Sequence, residues 1–261
     1  SDDHLDRYRD LQDYANAKQV VYQNAGLQVI NLDDPVAAAL ADGQRPLVGF
    51  TGQVPAAGNY GLLQHAGERW LARGATPIMP VANIRMAGRH NCLNALAALA
   101  LGEAAGLPLP AMVETLAEFQ GLPHRMQHVH EHEGVRWFND SKGTNVGATL
   151  AAIDGVDGKV VLIAGGDGKG ADFSPLADAM QQKGQAAVLI GKDAALLATV
   201  LQDVVPVRLA ENMTQAVRLA AEMAQPGDCV LLSPACASTD MYRNFEVRGD
   251  TFMRAVEEQV R

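Results

Sequence analysis

Hydrophobic and polar positions follow two different patterns along the chain, and the change comes near residue 121. Beyond it, short apolar runs alternate with amphipathic segments of helical spacing. Four apolar runs predict buried strands, at residues 159–164, 186–190, 205–209 and 229–232. Four segments predict helices, at residues 172–183, 193–201, 213–224 and 247–260. Since strands that alternate with helices form parallel sheets, this half predicts a doubly wound α/β domain with helices on both faces.

The first half predicts a less regular domain. Residues 10–24 have apolar positions at three- and four-residue steps, which indicates a helix with Lys18 on or beside its inward-facing stripe. Short runs separated by glycine and proline predict strands, at residues 27–31, 47–51, 60–64, 69–72 and 78–84. Two further helices are predicted, at residues 91–105 and 110–119. We place the domain boundary at the Gly121-Leu122-Pro123 turn that follows, which gives domains 1–120 and 121–261.

The segment around residue 140 joins a predicted strand to a predicted helix through a polar loop. Two runs predict a hairpin that leads into it, at residues 126–132 and 135–138. Asp140, Ser141 and Lys142 follow, and a helical segment begins at residue 146. Free N–H groups at the start of a helix favour an anion, and Lys142 adds a full positive charge. The alternative is that Asp140 and Ser141 only form a turn, with Lys142 in solvent.

Two more polar loops follow predicted strands. The loop 165–170 has the sequence GGDGKG, and the loop 233–238 has the sequence SPACAS. Because the carboxyl ends of parallel strands meet at one edge of a sheet, and open α/β sheets bind ligands at that edge, we expect the three loops to build a ligand site.

Charge and composition narrow the class of protein. The chain has 21 basic and 30 acidic residues and a net charge of −9, without a run of basic residues, so we expect no binding to nucleic acid or to a membrane surface. The three cysteines lack zinc-ligand spacing and are too few for a disulfide framework. No apolar run is long enough for a membrane span and no signal peptide is evident, so we expect a cytoplasmic protein.

A set of motifs along the chain resembles the Mur ligase family. The motifs are DHLDRY at 3–8, Lys18 in its helix, HNCLNA at 90–95, LPHR at 122–125, NDSKGTN at 139–145, GGDGKGADF at 165–173 and SPACASTDMYRNF at 233–245. The resemblance implies the later part of a central, mixed-sheet ATPase domain followed by a Rossmann-like, amino-acid-binding domain. GGDGKG lacks the Ser or Thr that follows Lys in the family's GxxGK[ST] phosphate loop, and no uridine-nucleotide-binding domain is present. We therefore expect a truncated ligase that is inactive alone.

The resemblance also implies an activity. Such ligases use ATP and Mg²⁺ to convert a carboxylate into an acyl phosphate, which an amino group then attacks. The motif order is most similar to the member that adds D-glutamate to UDP-N-acetylmuramoyl-L-alanine during peptidoglycan precursor synthesis, and we expect a monomer. Two alternatives stay open: another Mur or folylpolyglutamate-type ligase, and a non-catalytic nucleotide-binding or interaction module.

The family's functional residues fall on particular positions of this chain. The resemblance implies catalytic and metal-binding roles for His4 and for Lys18 as a carbamate. It implies nucleotide binding by Asn91, Asn94, Arg125, Asp140 and Lys142, and D-glutamate binding by Thr144, Lys169, Ser238, Thr239 and Phe245. The structural alternatives are a disordered terminal His4, a solvated Lys18, helix capping by Asn91, an ordinary salt bridge of Arg125, and a Lys169 that only decorates a glycine-rich turn.

Overall fold

The computed structural model describes Tyr8, residues 10–86 and residues 89–260, apart from the side chains of Leu11 and Arg89. The chain divides into two compact units, Ser1–Gln120 and Gly121–Arg261. Each unit contains one sheet, so each is described by itself.

The first unit contains a five-stranded mixed sheet in sequential order. Its strands are β1 (Gln28–Asn31), β2 (Leu47–Phe50), β3 (Tyr60–His65), β4 (Glu68–Arg73) and β5 (Thr76–Pro80). The first three strands are parallel, whereas β4 and β5 pair antiparallel. The prediction of a strand through residue 84 was wrong, because a 3-10 turn (Val81–Asn83) follows β5.

Four helices accompany this sheet: α1 (Leu11–Gln19), α2 (Pro35–Ala39), α3 (Arg89–Ala104) and α4 (Leu109–Glu118). Helix α1 is shorter than predicted, because it ends before the β-branched pair Val20 and Val21, which favour a helix weakly. Helix α2 was not predicted. The Asp34 carboxylate caps it by accepting the N–H groups of Val36 and Ala37.

The core of the first unit places one face of α3 on the sheet. Cys92, Ala95, Leu96 and Leu99 recur at three- and four-residue steps and are buried among sheet residues such as Leu71. Asn94 lies outside that stripe and is exposed. The packing of α3 therefore fixes where this amide meets solvent.

The second unit contains a six-stranded sheet with the order β10-β9-β8-β11-β7-β6. Its strands are β6 (Gln127–His132), β7 (Val135–Asn139), β8 (Val160–Gly165), β9 (Gly184–Ile190), β10 (Val207–Leu209) and β11 (Cys229–Leu232). All neighbours are parallel except β6 and β7, which form the predicted hairpin. The prediction of a mixed sheet followed by a doubly wound, mainly parallel sheet is confirmed.

Five helices connect or follow these strands: α5 (Val146–Gly155), α6 (Pro175–Lys183), α7 (Ala194–Leu201), α8 (Met213–Met223) and α9 (Phe245–Gln259). Helices α8 and α9 share a buried cluster with one face of the sheet, in which Val217 and Phe252 meet Val161 and Val188. Helices α5, α6 and α7 connect strands that step in the opposite direction, which places them on the other face.

The strand order creates a point of divergence at the carboxyl edge. Strand β11 lies between β7 and β8, yet the chain leaves it toward α9, whereas it leaves β7 and β8 toward α5 and α6. Loops that diverge in this way open a crevice, which is the usual ligand position in such sheets. Within the described ranges, no helix is both long and apolar enough to span a membrane.

Candidate active site

Hydrogen bonds join the loops that follow β7, β8 and β11. The Gly165 N–H donates to the Pro234 carbonyl at 2.9 Å, and the Ala235 N–H donates to the Gly143 carbonyl at 2.9 Å. Asp167 and Ala237 exchange N–H···O bonds of 3.0 and 2.9 Å. These loops therefore form one connected surface at the carboxyl edge of the sheet.

Asp140 lies beneath that surface and is 8% exposed. Its Oδ1 accepts the Met126 N–H at 3.2 Å, and its Oδ2 accepts the Ser233 hydroxyl at 2.7 Å. Burial raises the pKa of Asp140 to about 6, although these two bonds and nearby Arg125 act in the opposite direction. Both carboxylate oxygens contact protein groups, so the predicted contact of Asp140 with a nucleotide stays a prediction.

Arg248 is a functional candidate that the sequence reasoning missed. It is 1% exposed, and its Nε donates to Ser141 Oγ at 3.0 Å, its Nη2 to the Ser141 carbonyl at 2.8 Å and its Nη1 to the Cys236 carbonyl at 3.1 Å. Burial lowers the pKa of Arg248 to about 10. The guanidinium thus ties α9 to the loops after β7 and β11. The signal in the sequence was an arginine within the apolar stripe of α9, between Phe245 and Phe252.

Lys142 and Phe245 lie together at the site. Lys142 Nζ is 4.1 Å from the centroid of the Phe245 ring, a cation–π distance, and the Lys142 N–H donates to the His124 carbonyl at 3.0 Å. The Phe245 carbonyl accepts the Ser141 hydroxyl at 2.8 Å. Lys142 is therefore held at the loop, in contrast to the alternative of a fully solvated lysine.

The segment before β6 is held in an unusual backbone conformation. His124 and Met126 have φ values of 61° and 44°, in the left-handed region that favours glycine. His124 is buried, and its Nδ1 lies 3.0 Å from the amide nitrogen of Asn139, whose carbonyl oxygen accepts the Ser141 N–H. Nδ1 is thus assigned as an acceptor, which leaves the ring proton on Nε2. This arrangement fixes the backbone around the exposed Arg125.

The predicted D-glutamate residues lie on the same edge but differ in exposure. Lys169 is exposed, has φ 52°, and donates its N–H to Asp167 Oδ1 at 3.0 Å. Ser238 is 4% exposed, Thr144 is half-buried and Thr239 is exposed. Four of the predicted residues thus lie on loops at one edge of the sheet, and the fifth, Phe245, begins the helix that follows the loop after β11.

Two predicted residues of the first unit, Asn91 and Asn94, lie side by side on one helix. On α3, the Asn94 amide donates to Asn91 Oδ1 at 3.2 Å, so the two side chains are in contact. Asn91 is the third residue of this helix, which argues against the alternative that it caps the helix.

Lys18 is exposed, so of its two predicted positions, on or beside the inward-facing stripe, the structure excludes the one on the stripe. Among the described side chains of α1 only Ala15 is buried, which makes the buried stripe too narrow to include Lys18. Its Nζ instead lies 5.1 Å from the centroid of the Tyr14 ring. His4 lies outside the described residues. Within the described part of the chain, no group of three His, Cys, Asp or Glu residues is arranged to hold a metal ion.

Comparison with known proteins identifies the family. The Mur ligase middle domain matches residues 1–102, and the Mur ligase glutamate ligase domain matches residues 124–236. The chain belongs to the Mur ligase family. Its two matched domains are the ones that the motif resemblance implied.

Similar curated proteins of this family share one name, UDP-N-acetylmuramoylalanine--D-glutamate ligase. The protein from Nitrosococcus oceani is 54% identical over 260 residues, which is 99% of this chain and 57% of that protein. The protein from Pseudomonas aeruginosa is 48% identical over an alignment of 262 positions, which covers 99% of this chain and 58% of that protein. The chain therefore spans between half and two thirds of the length of these relatives.

Two solved structures share the fold of this chain. The MurF ligase from Thermotoga maritima in complex with ADP has a TM-score of 0.68 at 14% identity, over 98% of this chain and 60% of that one. The E. coli FolC structure in complex with DHPP and ADP has a TM-score of 0.65 at 16% identity, over 99% of this chain and 60% of that one.

Proposed function

We propose that this chain is the later part of an ATP-dependent ligase that joins D-glutamate to UDP-N-acetylmuramoyl-L-alanine in peptidoglycan precursor synthesis. The observation that carries the proposal is the 54% identity, along 99% of the chain, with a relative named for the D-glutamate ligation. The loops at the carboxyl edge of the second sheet support it, because they present cationic and hydroxyl side chains where an anionic amino acid would bind.

The proposed reaction has two steps. The terminal carboxylate of the precursor attacks the γ-phosphorus of ATP, which gives an acyl phosphate and ADP. The amino group of D-glutamate then attacks the acyl carbon, so the amide bond forms and phosphate leaves. Catalysis in such a reaction depends mainly on orientation and on stabilisation of negative charge.

For D-glutamate, we propose that Lys169 binds one of the two carboxylates. The hydroxyls of Thr144 and Ser238 donate hydrogen bonds, and Thr239 and Phe245 contribute contacts from the loop after β11 and the start of α9. Charge-assisted hydrogen bonds are stronger than neutral ones, so Lys169 carries the largest share of the recognition. The left-handed backbone of Lys169 supports this role, since strained residues concentrate at functional sites.

For the nucleotide, each unit offers its own groups. In the first unit, Asn91 and Asn94 are neighbouring amides on α3 that suit the polar edge of adenine. In the second unit, Arg125 is exposed and suits a phosphate or a base, and Lys142 adds positive charge. Asp140 is proposed to contribute from the loop that carries Lys142.

Magnesium is the part of the proposal that the described residues fit least well. Lys18 as an ammonium group repels a cation, and only its carbamate would supply the oxygen ligands that Mg²⁺ prefers. When bound, the ion would neutralise charge on the transferring phosphate. We propose the carbamate of Lys18 as one ligand of the ion and His4 as a second.

Three further properties follow from the proposal. We expect the protein to work in the cytoplasm, where its nucleotide substrates are made, and to be a monomer. A polypeptide limited to residues 1–261 is expected to lack ligase activity, because GGDGKG has glycine where a phosphate loop has Ser or Thr.

The test is Lys169→Ala in the full-length protein, with D-glutamate and ATP titrated separately. Loss of a charge-assisted contact should raise the KM for D-glutamate about ten- to a hundredfold and change the KM for ATP little. Lys159→Ala is a matched control, because this exposed lysine precedes the opposite end of β8. Equal increases in the KM for both substrates would place Lys169 in the nucleotide site. Unchanged KM values would mean that Lys169 is only an exposed residue of a glycine-rich turn.

A further inference from the structure

The loop after β9, Gly191-Lys192-Asp193, contacts the Lys169 loop although no motif pointed to it. Lys192 Nζ lies 3.1 Å from Asp167 Oδ1, and the same oxygen accepts the Lys169 N–H at 3.0 Å. One carboxylate oxygen thus connects the two lysines. Asp167 therefore contacts both the Lys192 side chain and the Lys169 backbone.

Two more carboxylates fix the loop after β9 to its neighbours. Asp193 Oδ2 accepts the Gly168 N–H at 2.7 Å, and the Asp193 N–H donates to the Gly166 carbonyl at 3.0 Å. The Lys192 N–H donates to Asp240 Oδ2 at 2.8 Å, and Asp240 follows Thr239 in the loop after β11. The loop after β9 therefore bridges two of the loops that carry predicted D-glutamate residues, those after β8 and β11.

The approach of these loops requires a glycine at their centre. Gly191 has φ 77°, and a Cβ at this position would lie 2.5 Å from Asp240 Oδ2 and 2.9 Å from the Gly166 Cα. Any side chain would push the loops apart. The close approach of Lys192 to Asp167 and Asp240 consequently depends on a glycine at position 191.

The charges of this cluster give Lys192 a defined role. Asp167, Asp193 and Asp240 are three carboxylates around one lysine. The hydrogen bond and charge of Asp167 raise the pKa of Lys192, and the Lys169 N–H and Lys192 lower the pKa of Asp167. Both shifts agree with the geometry, in which one Asp167 oxygen lies against Lys192 Nζ and the Lys169 N–H. Lys169 needs such support, because its left-handed backbone persists only where neighbours determine it.

We infer that Lys192 is a positioning residue for D-glutamate: through Asp167 it holds the backbone of Lys169 in the conformation that directs the Lys169 ammonium to a substrate carboxylate. This inference rests on the proposed function and adds to it a residue that does not touch the substrate. Its effect should pass entirely through Lys169.

A double-mutant cycle in the full-length protein tests the inference, with Lys192→Ala, Lys169→Ala and the double variant. Since the ion pair is largely exposed, Lys192→Ala alone should raise the KM for D-glutamate about two- to fivefold. The KM for ATP and kcat should stay near wild type, and Lys192→Arg should restore the KM. In the Lys169→Ala background, Lys192→Ala should add no further change. Lys159→Ala again controls for the loss of one exposed lysine.

Three other outcomes are possible, and each would refute either the positioning role of Lys192 or the proposed function. Multiplicative effects of Lys192→Ala and Lys169→Ala would mean that Lys192 acts on the substrate directly, and the positioning role would be wrong. Equal changes in the KM for ATP and for D-glutamate would mean that Lys192 only stabilises the fold, with the same consequence. If ATP turnover by the wild-type protein does not depend on D-glutamate, the proposed function itself is wrong. That result is distinguishable from a failure of the positioning role, which concerns only the variants.

Discussion

Replacing Arg248 with methionine removes a side chain of α9 that bonds the loops after both β7 and β11. Methionine fills most of the volume, so the main loss is polar: the Ser141 and Cys236 carbonyls and the Ser141 hydroxyl each lose a donor. A buried acceptor left without a partner costs about 1–3 kcal/mol. The substitution also removes a buried charge. This offsets part of the lost stability, because burying a guanidinium costs several kcal/mol. We expect a net loss of about 3 kcal/mol in the free energy of unfolding.

Thermal and urea unfolding of the chain measure this loss. A decrease of about 3 kcal/mol corresponds to a fall in Tm of roughly 10 °C for a unit of this size. Arg254→Met is the matched control, because Arg254 is an exposed arginine on the same helix, and its substitution should change stability by less than about 0.5 kcal/mol. If Arg248→Met unfolds within about 2 °C of the control, the guanidinium does not hold the loops together and this reasoning fails.

Three further predictions concern separate residues. The folded-state pKa of Asp140 is raised to about 6, so the native state binds more protons than the unfolded state between about pH 4 and 6, and the contribution of Asp140 to stability falls as pH rises through that window. The free energy of unfolding of Asp140→Asn, measured with urea relative to wild type, should therefore be higher at pH 7 than at pH 4 by up to about 3 kcal/mol. The same difference between variant and wild type at both pH values would contradict this prediction. Gly249→Ala should lower the Tm, although alanine favours a helix by about 1 kcal/mol, because its Cβ would collide with His124 Nδ1; the added substitution His124→Ala should restore stability, and a raised Tm in the single variant would refute the clash. Lys18→Ala should nearly abolish activity of the full-length protein and be partly rescued by short-chain carboxylates, whereas wild-type activity would exclude the carbamate.

The fold could be predicted because each unit has a strong local pattern. The central strands β8 and β11 of the second sheet are continuous apolar runs, and both are buried along their whole length. Boundaries were harder to predict where side chains bond to the backbone. Helix α6 begins at Pro175 rather than residue 172, because Asp172 accepts the N–H and hydroxyl of Ser174 in a turn.

The candidate site could be predicted only in part. Loop chemistry and family motifs indicated Lys142 and Lys169, since both lie directly after predicted strands. The bonds that position them join residues far apart in the chain: Asp140 and Ser233 are 93 positions apart, and Lys192 and Asp167 are 25 apart. Such pairs depend on the strand order, which periodicity does not reveal.

Phosphate release from ATP by the full-length protein tests the central claim most directly. The reaction contains UDP-N-acetylmuramoyl-L-alanine and either D-glutamate, L-glutamate or no amino acid, and the amide product is measured in parallel. We expect release with D-glutamate, in step with amide formation, and little release in the other two reactions. Equal release with L-glutamate, or none with D-glutamate, would contradict it.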